Sequence, residues 1–109
     1  MRMRNLFIRA QADSDVQRAI VFYAEQAGSD LALRFVEGLR RTYSAIAATP
    51  DTGSPRWAHD LGISGLRSMR LRGFPWLVFY IALNDRVEIL RVLDARSNIP
   101  AWMGETPDA

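Results

Sequence analysis

The sequence predicts a two-layer α+β domain with the element order β-α-α-β-β-β, in which an N-terminal helical hairpin packs on one face of an antiparallel sheet. Two observations carry this prediction. Residues 65–93 contain apolar runs separated by two tight turns, which is typical of three consecutive antiparallel strands. Residues 13–49 instead place apolar side chains at helical spacing on both sides of one Gly-Ser junction. Because the helices and the sheet each have an apolar side, they are expected to pack with these sides against each other.

The helical hairpin follows a short strand, residues 4–9, with the sequence RNLFIR. Asp13 or Ser14 is the predicted N-cap of the first helix, and Gly28 is its predicted end, because glycine adopts the left-handed conformation of a helix C-terminus. The second helix ends before Pro50. Since a helical hairpin returns the chain to the end of the sheet that it left, we expect the second strand to lie antiparallel beside the first.

The central strand is predicted at Trp76–Ala82, the most apolar run of the chain. It is rich in aromatic and β-branched residues and lacks helical spacing, so we expect it to be buried on both faces. The preceding turn, residues 73–75, contains a glycine and a proline, and the following turn, residues 84–85, is Asn-Asp. The central position of this strand organises the sheet.

Alternation along the second strand predicts which of its side chains meet the helices. Met69 and Leu71 share one side, and Arg70 and Arg72 share the other. We expect the two apolar residues to face the helices and the two arginines to face a side of the sheet that stays partly open.

Two segments of the chain are predicted to be irregular. Residues 50–65 contain two prolines and three glycines and are predicted to be a loop. After the last strand, residues 95–98 are predicted to form one turn of helix, followed by an extended segment anchored by Ile99 and Trp102.

Length and composition indicate one globular domain. A chain of 109 residues with 49% hydrophobic residues is long enough for one core and too apolar for disorder. We assign the domain to residues 1–103 and predict a disordered tail at residues 104–109. The longest apolar run has ten residues, far short of the roughly 20 that a membrane span needs. Together with the absence of cysteine, this favours a cytoplasmic protein.

All 14 basic residues are arginines. Biased codon usage in a GC-rich genome is one explanation. The other is recognition of phosphate or carboxylate, which the guanidinium group binds through two parallel hydrogen bonds. From residue 65 to residue 96 six arginines stand against three acidic residues, which favours an anionic partner, either nucleic acid or an acidic protein.

The residue inventory gives little support for an enzyme. One histidine and no cysteine make a metal site improbable, and no nucleotide-binding glycine motif occurs, so we expect no cofactor. His59 is predicted to be a surface loop residue, because no nucleophile motif accompanies it. Trp76 is assigned to the core, whereas Trp57 and Trp102 are each either a clasp over the sheet edge or an exposed contact for a partner.

Segments spread over nearly the whole chain resemble one family. In order they are AIVFYAEQAG, LALRFVEGL, TPDTGSP, GLRSMRLRGFPWLVFY, VEILRVL and ARSNIPAW. No single segment is diagnostic, but the ordered set resembles the ParE toxins of the RelE/ParE superfamily.

This resemblance implies the toxin of a type II toxin–antitoxin system of the kind that stabilises plasmids and inhibits growth. The implied partners are a ParD-like acidic antitoxin that folds on binding, and DNA gyrase, which the toxin would inhibit as a protein ligand. The resemblance implies neither membrane association nor sequence-specific DNA binding by the toxin alone. We expect the free toxin to be poorly soluble or a homodimer.

The alternative within the superfamily is a RelE-like ribosome-dependent mRNA endonuclease. Arg70 and Arg96 stand where such nucleases have basic residues, but Leu77 replaces their central-strand arginine. Trp102 falls near their catalytic tyrosine, and indole has no ionisable proton for acid–base catalysis.

We therefore predict no catalytic residue and expect the protein to be an inhibitor that binds gyrase rather than a nuclease. Asp94 and Ser97 stand where ParE toxins commonly have histidine and aspartate. The candidate residues for binding the target or the antitoxin are Arg67, Arg70, Arg72, Arg91, Arg96 and Trp102.

Overall fold

The computed structural model describes residues 3–104 and confirms the α+β class with an N-terminal helical hairpin. A 3-10 turn at Pro50–Thr52 and two short helices accompany the predicted elements. In chain order the strands and α-helices are β1 (Leu6–Ile8), α1 (Ala10–Ala27), α2 (Ser29–Ala48), α3 (Arg56–Leu61), β2 (Leu66–Arg70), β3 (Trp76–Ala82), β4 (Val87–Asp94) and α4 (Ile99–Met103).

The helical hairpin has the predicted junction but an earlier start. Gly28 ends α1 with a φ of 92°, which a residue with a side chain adopts only under strain, and its amide donates to Ala24 O at 3.1 Å. The predicted N-cap at Asp13 or Ser14 is wrong, because α1 follows β1 directly and begins after Arg9, which has an extended conformation.

The sheet is mixed, with the strand order β1-β4-β3-β2. The predicted antiparallel pairing of the first two strands is wrong: β1 pairs in parallel with β4, and Leu6 lies opposite Val87. The segment after α2 instead carries the chain to the far edge, where Ser54 forms a β-bridge with Ser68 of β2. The short β1 and the arginine-bearing β2 thus occupy the edges, and the most apolar strands occupy the interior.

β3 is buried on both faces at its centre, at Val78, Phe79 and Tyr80, as predicted, and its ends are partly exposed. β4 is buried even more completely, since every residue from Val87 to Leu93 is buried. β3 pairs antiparallel with β4, and a β-bulge leaves Leu90 as an extra residue, because Phe79 lies opposite Arg91 while Tyr80 lies opposite Ile89.

Two apolar cores lie on the two faces of the sheet. On the hairpin face, Leu71 is buried and Met69 packs against the same core, as predicted, while Arg70 and Arg72 are exposed. The other face was predicted to stay partly open, but it carries a smaller core of six buried residues covered by α3 and α4. These residues are Leu66, Phe79, Leu90, Leu93, Ile99 and Met103.

The segment predicted as a loop, residues 50–65, is tied closely to the sheet. The Tyr80 hydroxyl donates to Pro50 O at 2.6 Å and accepts from Gly53 N at 3.0 Å. A Cβ atom at Gly53 would lie 2.1 Å from that hydroxyl oxygen, so only glycine fits there. Trp57 packs edge-on against Phe79 with a centroid distance of 6.3 Å, which makes it a clasp rather than a free contact.

The chain after β4 also differs from its prediction. Residues 95–96 form a turn, and the helix begins only at Ile99 and runs to Met103. Asn98 caps this helix by accepting a hydrogen bond from Ala101 N at 3.3 Å, and Pro100 occupies the first turn, where proline is tolerated. The predicted tail lies, apart from Gly104, outside the described residues.

Glu88 should make the fold sensitive to acid. Its carboxylate accepts hydrogen bonds from Arg9 Nη2 at 2.7 Å and from Arg86 Nε at 2.9 Å, and these contacts, that of Arg9 foremost, hold the pKa of Glu88 below its usual value. Because the folded pKa is lower than the unfolded value of about 4.3, this stabilisation is complete above that value and is lost as pH falls through the folded pKa.

We therefore expect the urea midpoint of the wild type to fall more steeply than that of Glu88→Gln as pH drops below about 4.3. Asp85→Asn is the matched control, since Asp85 is exposed and, within residues 3–104, pairs with Arg86 alone. Parallel pH profiles for the wild type and Glu88→Gln would contradict the prediction.

Candidate functional site

Strand register brings several of the predicted binding residues to one end of the sheet. Arg70 ends β2, and the amide of the next residue, Leu71, donates to Trp76 O at the start of β3 at 2.9 Å. Trp76 in turn pairs with Asp94, the last residue of β4. We call this end, where β2 and β4 finish and β3 begins, the sheet end. The predicted residues gathered there are Arg70, Arg72 and Arg96.

Four aromatic rings pack together at the sheet end. Phe35 of α2 contacts the rings of Phe74 and Trp76 edge-on, each with a centroid distance of 5.5 Å. The ring of Tyr23 lies 5.3 Å from that of Phe35, and its hydroxyl accepts a hydrogen bond from Trp76 Nε1 at 2.9 Å. Aromatic pairs of this kind contribute about 0.5–1.5 kcal/mol each beyond their buried area. The cluster therefore fixes the orientation of the Trp76 indole.

A groove of about 270 Å³ opens beside this cluster, between α1, the end of β4 and α4. Its walls are aromatic, and two of them face solvent: Phe22 is 55% exposed and Trp102 is 38% exposed. The Arg18 guanidinium borders the groove, 5.9 Å from the centroid of the Trp102 ring. We call this cavity the aromatic groove. Its walls are Phe22, Trp76 and Trp102, and its remaining lining includes Ala19, Val92, Leu93, Asp94 and Ser97.

A buried carboxylate joins α1 to β4 next to the aromatic groove. Asp15 is 3% exposed, and its two oxygens accept hydrogen bonds from Arg91 Nε and Nη2, both at 2.8 Å. The same carboxylate accepts from Val92 N at 3.0 Å and from Arg18 Nη2 at 2.7 Å. Because β1 is too short to pair with this part of β4, Asp15 supplies the acceptor that a neighbouring strand would have given.

The expectation that Arg91 belongs to the exposed basic surface is wrong. Arg91 is 2% exposed, because it lies beside the β-bulge and its guanidinium pairs with Asp15. Its Nη1 donates to Trp102 O at 2.7 Å, so the same side chain fastens α4 to the sheet. Arg91 is therefore withdrawn from the surface and instead fixes the backbone at Trp102.

The remaining predicted arginines differ in their surroundings. Arg67 is half-buried and donates to Gly53 O at 2.6 Å, away from the sheet end. Arg96 pairs with Asp94 through Nη2 at 2.8 Å, and the hydrogen bonds from Arg96 hold the pKa of Asp94 below its usual value. The side chains of Arg70 and Arg72 are exposed and form no hydrogen bond or ion pair with another residue between positions 3 and 104.

A second, basic groove of about 380 Å³ borders the sheet end, between α2 and the β2–β3 turn. Arg34, Arg41 and Arg72 line it, with Glu37 as its acidic member. Gly38 of α2 lies close to this turn, since a Cβ atom there would be in ordinary van der Waals contact with Arg72 O, at 3.5 Å. Arginines therefore continue along the surface beyond the aromatic cluster.

The described part of the chain offers little for a metal ion or a bilayer. No group of three potential metal-ligating side chains occurs among residues 3–104. Within the same range, no helix has both the length and the hydropathy that crossing a membrane requires.

Comparison with protein families identifies the chain. The model of the ParE toxin of the type II toxin–antitoxin system parDE matches residues 6–99, which include the helical hairpin, all four strands and the start of α4. The chain belongs to the ParE toxin family.

A solved structure supports the fold of this ParE toxin. The structure described as the chromosomal ParDE TA system from P. aeruginosa superimposes with a TM-score of 0.71 at 20% sequence identity, covering 84% of this chain and 96% of that one. At that identity the likeness concerns the fold. A comparison with curated proteins gives no match.

Sequence reasoning missed three residues of the site in this ParE toxin: Asp15, Arg18 and Phe22. A signal for Asp15 was present, because it lies between Ala12 and Ala19 on the buried face of α1, where an isolated carboxylate requires a partner. Arg91, enclosed by apolar residues in β4, was the matching cation.

His59 lies away from the aromatic groove. It is exposed in the last turn of α3, and it does not line either groove described above.

Proposed function

We propose that this ParE toxin inhibits DNA gyrase by binding it, without being an enzyme, and that an acidic ParD-like antitoxin neutralises it. Family membership carries the proposal. The target surface proposed here is the sheet end, with Arg70, Arg72, Arg96 and Trp102 as the contacting residues. Arg91 belongs to it indirectly, as the residue that positions Trp102.

The face of the sheet opposite the hairpin argues against the RelE-like alternative. Leu77 occupies the position of the nuclease arginine and lies opposite Leu93, in an apolar core covered by α4. Trp102 occupies the position of the nuclease tyrosine and offers no ionisable proton. Metal-free cleavage of a phosphodiester needs both proton transfer and charge stabilisation. The arginines alone could provide only the second.

The charges at the surface favour an acidic antitoxin. Arg34, Arg70 and Arg72 are exposed and have no ion-pair partner among residues 3–104. Guanidinium groups bind carboxylates through charge-assisted bidentate hydrogen bonds. A disordered acidic segment that folds on binding can cover such a dispersed surface, together with the exposed Phe22 and Trp102.

A supercoiling assay with purified toxin and gyrase from the same organism tests the proposed activity. We expect the wild type to inhibit supercoiling, and Arg70→Glu/Arg72→Glu to need about tenfold more protein for the same inhibition, equivalent to about 1.4 kcal/mol. Arg56→Glu is the charge-reversal control, because Arg56 is also exposed but lies on α3 over its neighbour Trp57.

Full gyrase activity at a large excess of toxin would refute the proposed target. Mapping of message ends after induction tests the alternative at the same time, since ribosome-dependent cleavage would cut translated messages at codon-defined positions. Unchanged message ends together with DNA damage would favour gyrase.

A further inference from the structure

We propose that the aromatic groove binds one large apolar side chain, aromatic or leucine, from a peptide segment that carries carboxylates on both sides of it. The inference deepens the antitoxin part of the proposed function and rests on it for the source of the segment. It assigns a binding role to Phe22, Arg18 and Trp76, in addition to Trp102.

The size and lining of the groove suit a single side chain. Ligand pockets usually measure about 300–1,000 Å³, so a cavity of about 270 Å³ lies just below that range. Its walls are aromatic, and the exposed parts of Phe22 and Trp102 lose contact with water only when something covers them. Buried aromatic anchors of this kind dominate the affinity of protein interfaces.

The charges around the groove disfavour a cationic anchor. Arg18 and Arg91 each lie 5.9 Å from the centroid of the Trp102 ring, so a lysine or arginine that approaches this ring meets charges of its own sign. The two carboxylates in the lining are both engaged, Asp15 by Arg91 and Arg18, and Asp94 by Arg96. No anion of the lining is therefore left for a cation.

The same end of the sheet favours carboxylates beside the anchor. Arg70 and Arg72 lie at the sheet end, outside the lining of the aromatic groove, without an ion-pair partner among the described residues. Exposed like charges attract an acidic chain and orient it during association. In a segment with an apolar residue flanked by glutamate or aspartate, the apolar side chain fits the aromatic groove and the carboxylates fit the basic sheet end.

The walls of the groove are held in place before binding. Trp76 is fixed by the Tyr23 hydroxyl, and the backbone of Trp102 is fixed by Arg91, which is itself fixed by Asp15. Binding then needs little ordering of the Trp76 side chain and of the Trp102 backbone, and ordering is one of the main costs of association. Asp15 and Arg91 are positioning residues in this arrangement.

Nuclear magnetic resonance can test the inference with short peptides, because the chain contains three tryptophans and thus three indole N–H signals. Two of them, from Trp76 and Trp102, report on the groove, and Trp57 on α3 is an internal control. The probes are blocked tripeptides with the sequences Glu-Trp-Glu, Lys-Trp-Lys and Glu-Ala-Glu, titrated into ¹⁵N-labelled toxin.

We expect Glu-Trp-Glu to shift the Trp76 and Trp102 signals in a saturable way, with a dissociation constant at least about tenfold lower than those of the other two peptides. Phe22→Ala should raise that constant by about the same factor. Leu33→Ala should leave it unchanged, since Leu33 is 65% exposed on α2 and does not line the groove.

Equal binding of Lys-Trp-Lys, an equal shift of the Trp57 signal, or the absence of a saturable shift would each overturn the inference. The titration contains neither gyrase nor antitoxin. A toxin that binds Glu-Trp-Glu but leaves gyrase active would therefore refute the proposed target alone, and the reverse result would refute the groove alone.

Discussion

Asp15→Asn should lower the free energy of unfolding by about 3–5 kcal/mol, because it leaves the buried guanidinium of Arg91 without its counter-charge. Small domains are stable by only about 5–15 kcal/mol, so the variant should be close to the limit of folding. Urea denaturation of the two proteins at neutral pH measures the difference. The packing of α4 on the sheet should also weaken, since Arg91 donates a hydrogen bond to Trp102 O.

The matched control is Asp13→Asn, two residues earlier on the same helix. Asp13 is exposed and has no ion pair within residues 3–104, so its loss should change stability by no more than about 0.5 kcal/mol. The double variant Asp15→Leu/Arg91→Met should lose clearly less free energy of unfolding than the single variants Asp15→Leu and Arg91→Met lose in sum. Additive single effects would show that the two side chains are not coupled.

Trp102→Ala should weaken the complex with the cognate antitoxin by about 2 kcal/mol, or about 30-fold in dissociation constant. The reason is that Trp102 is a partly exposed aromatic side chain whose backbone is already fixed, so covering it gains apolar contact at low ordering cost. Salt should matter less: between about 0.1 and 1 M NaCl the dissociation constant should change by less than about tenfold, since the arginines mainly set association rate and register.

Trp102→Phe is the conservative control and should recover most of the lost affinity, whereas Arg96→Ala should act mainly on the association rate. Thermal melting of the free variants separates a loss of contact from a loss of fold. A collapse of affinity with salt, combined with a neutral Trp102→Ala, would show that charge rather than apolar contact holds the complex.

Local pattern was sufficient for much of the fold. The helical spacing around Gly28 predicted the hairpin, and Gly28 indeed ends α1 with positive φ. The apolar run at Trp76–Ala82 predicted an interior strand, and alternation in β2 placed Met69 and Leu71 toward the helices. These features depend on a residue and its near neighbours, because the spacing of apolar residues along the sequence reflects the period of a helix or a strand. The ordered motifs likewise pointed to the ParE family, which the family comparison shows.

Only the tertiary structure decided which distant segments meet. The parallel pairing of β1 with β4 joins residues about 80 positions apart, and no local pattern distinguishes it from pairing with β2. The covering of the second face by α3 and α4 likewise depends on where the chain crosses the sheet.

The candidate site shows the same division. The sequence placed arginines on the strands, but residue type alone does not tell whether an arginine is buried or exposed. Its burial depends on whether it meets a partner far along the chain. Arg91 meets Asp15 across 76 positions and is withdrawn from the surface, while Arg70 and Arg72 meet no carboxylate among residues 3–104 and are exposed. The aromatic groove exists only because α1, β4 and α4 bring Phe22, Trp76 and Trp102 together.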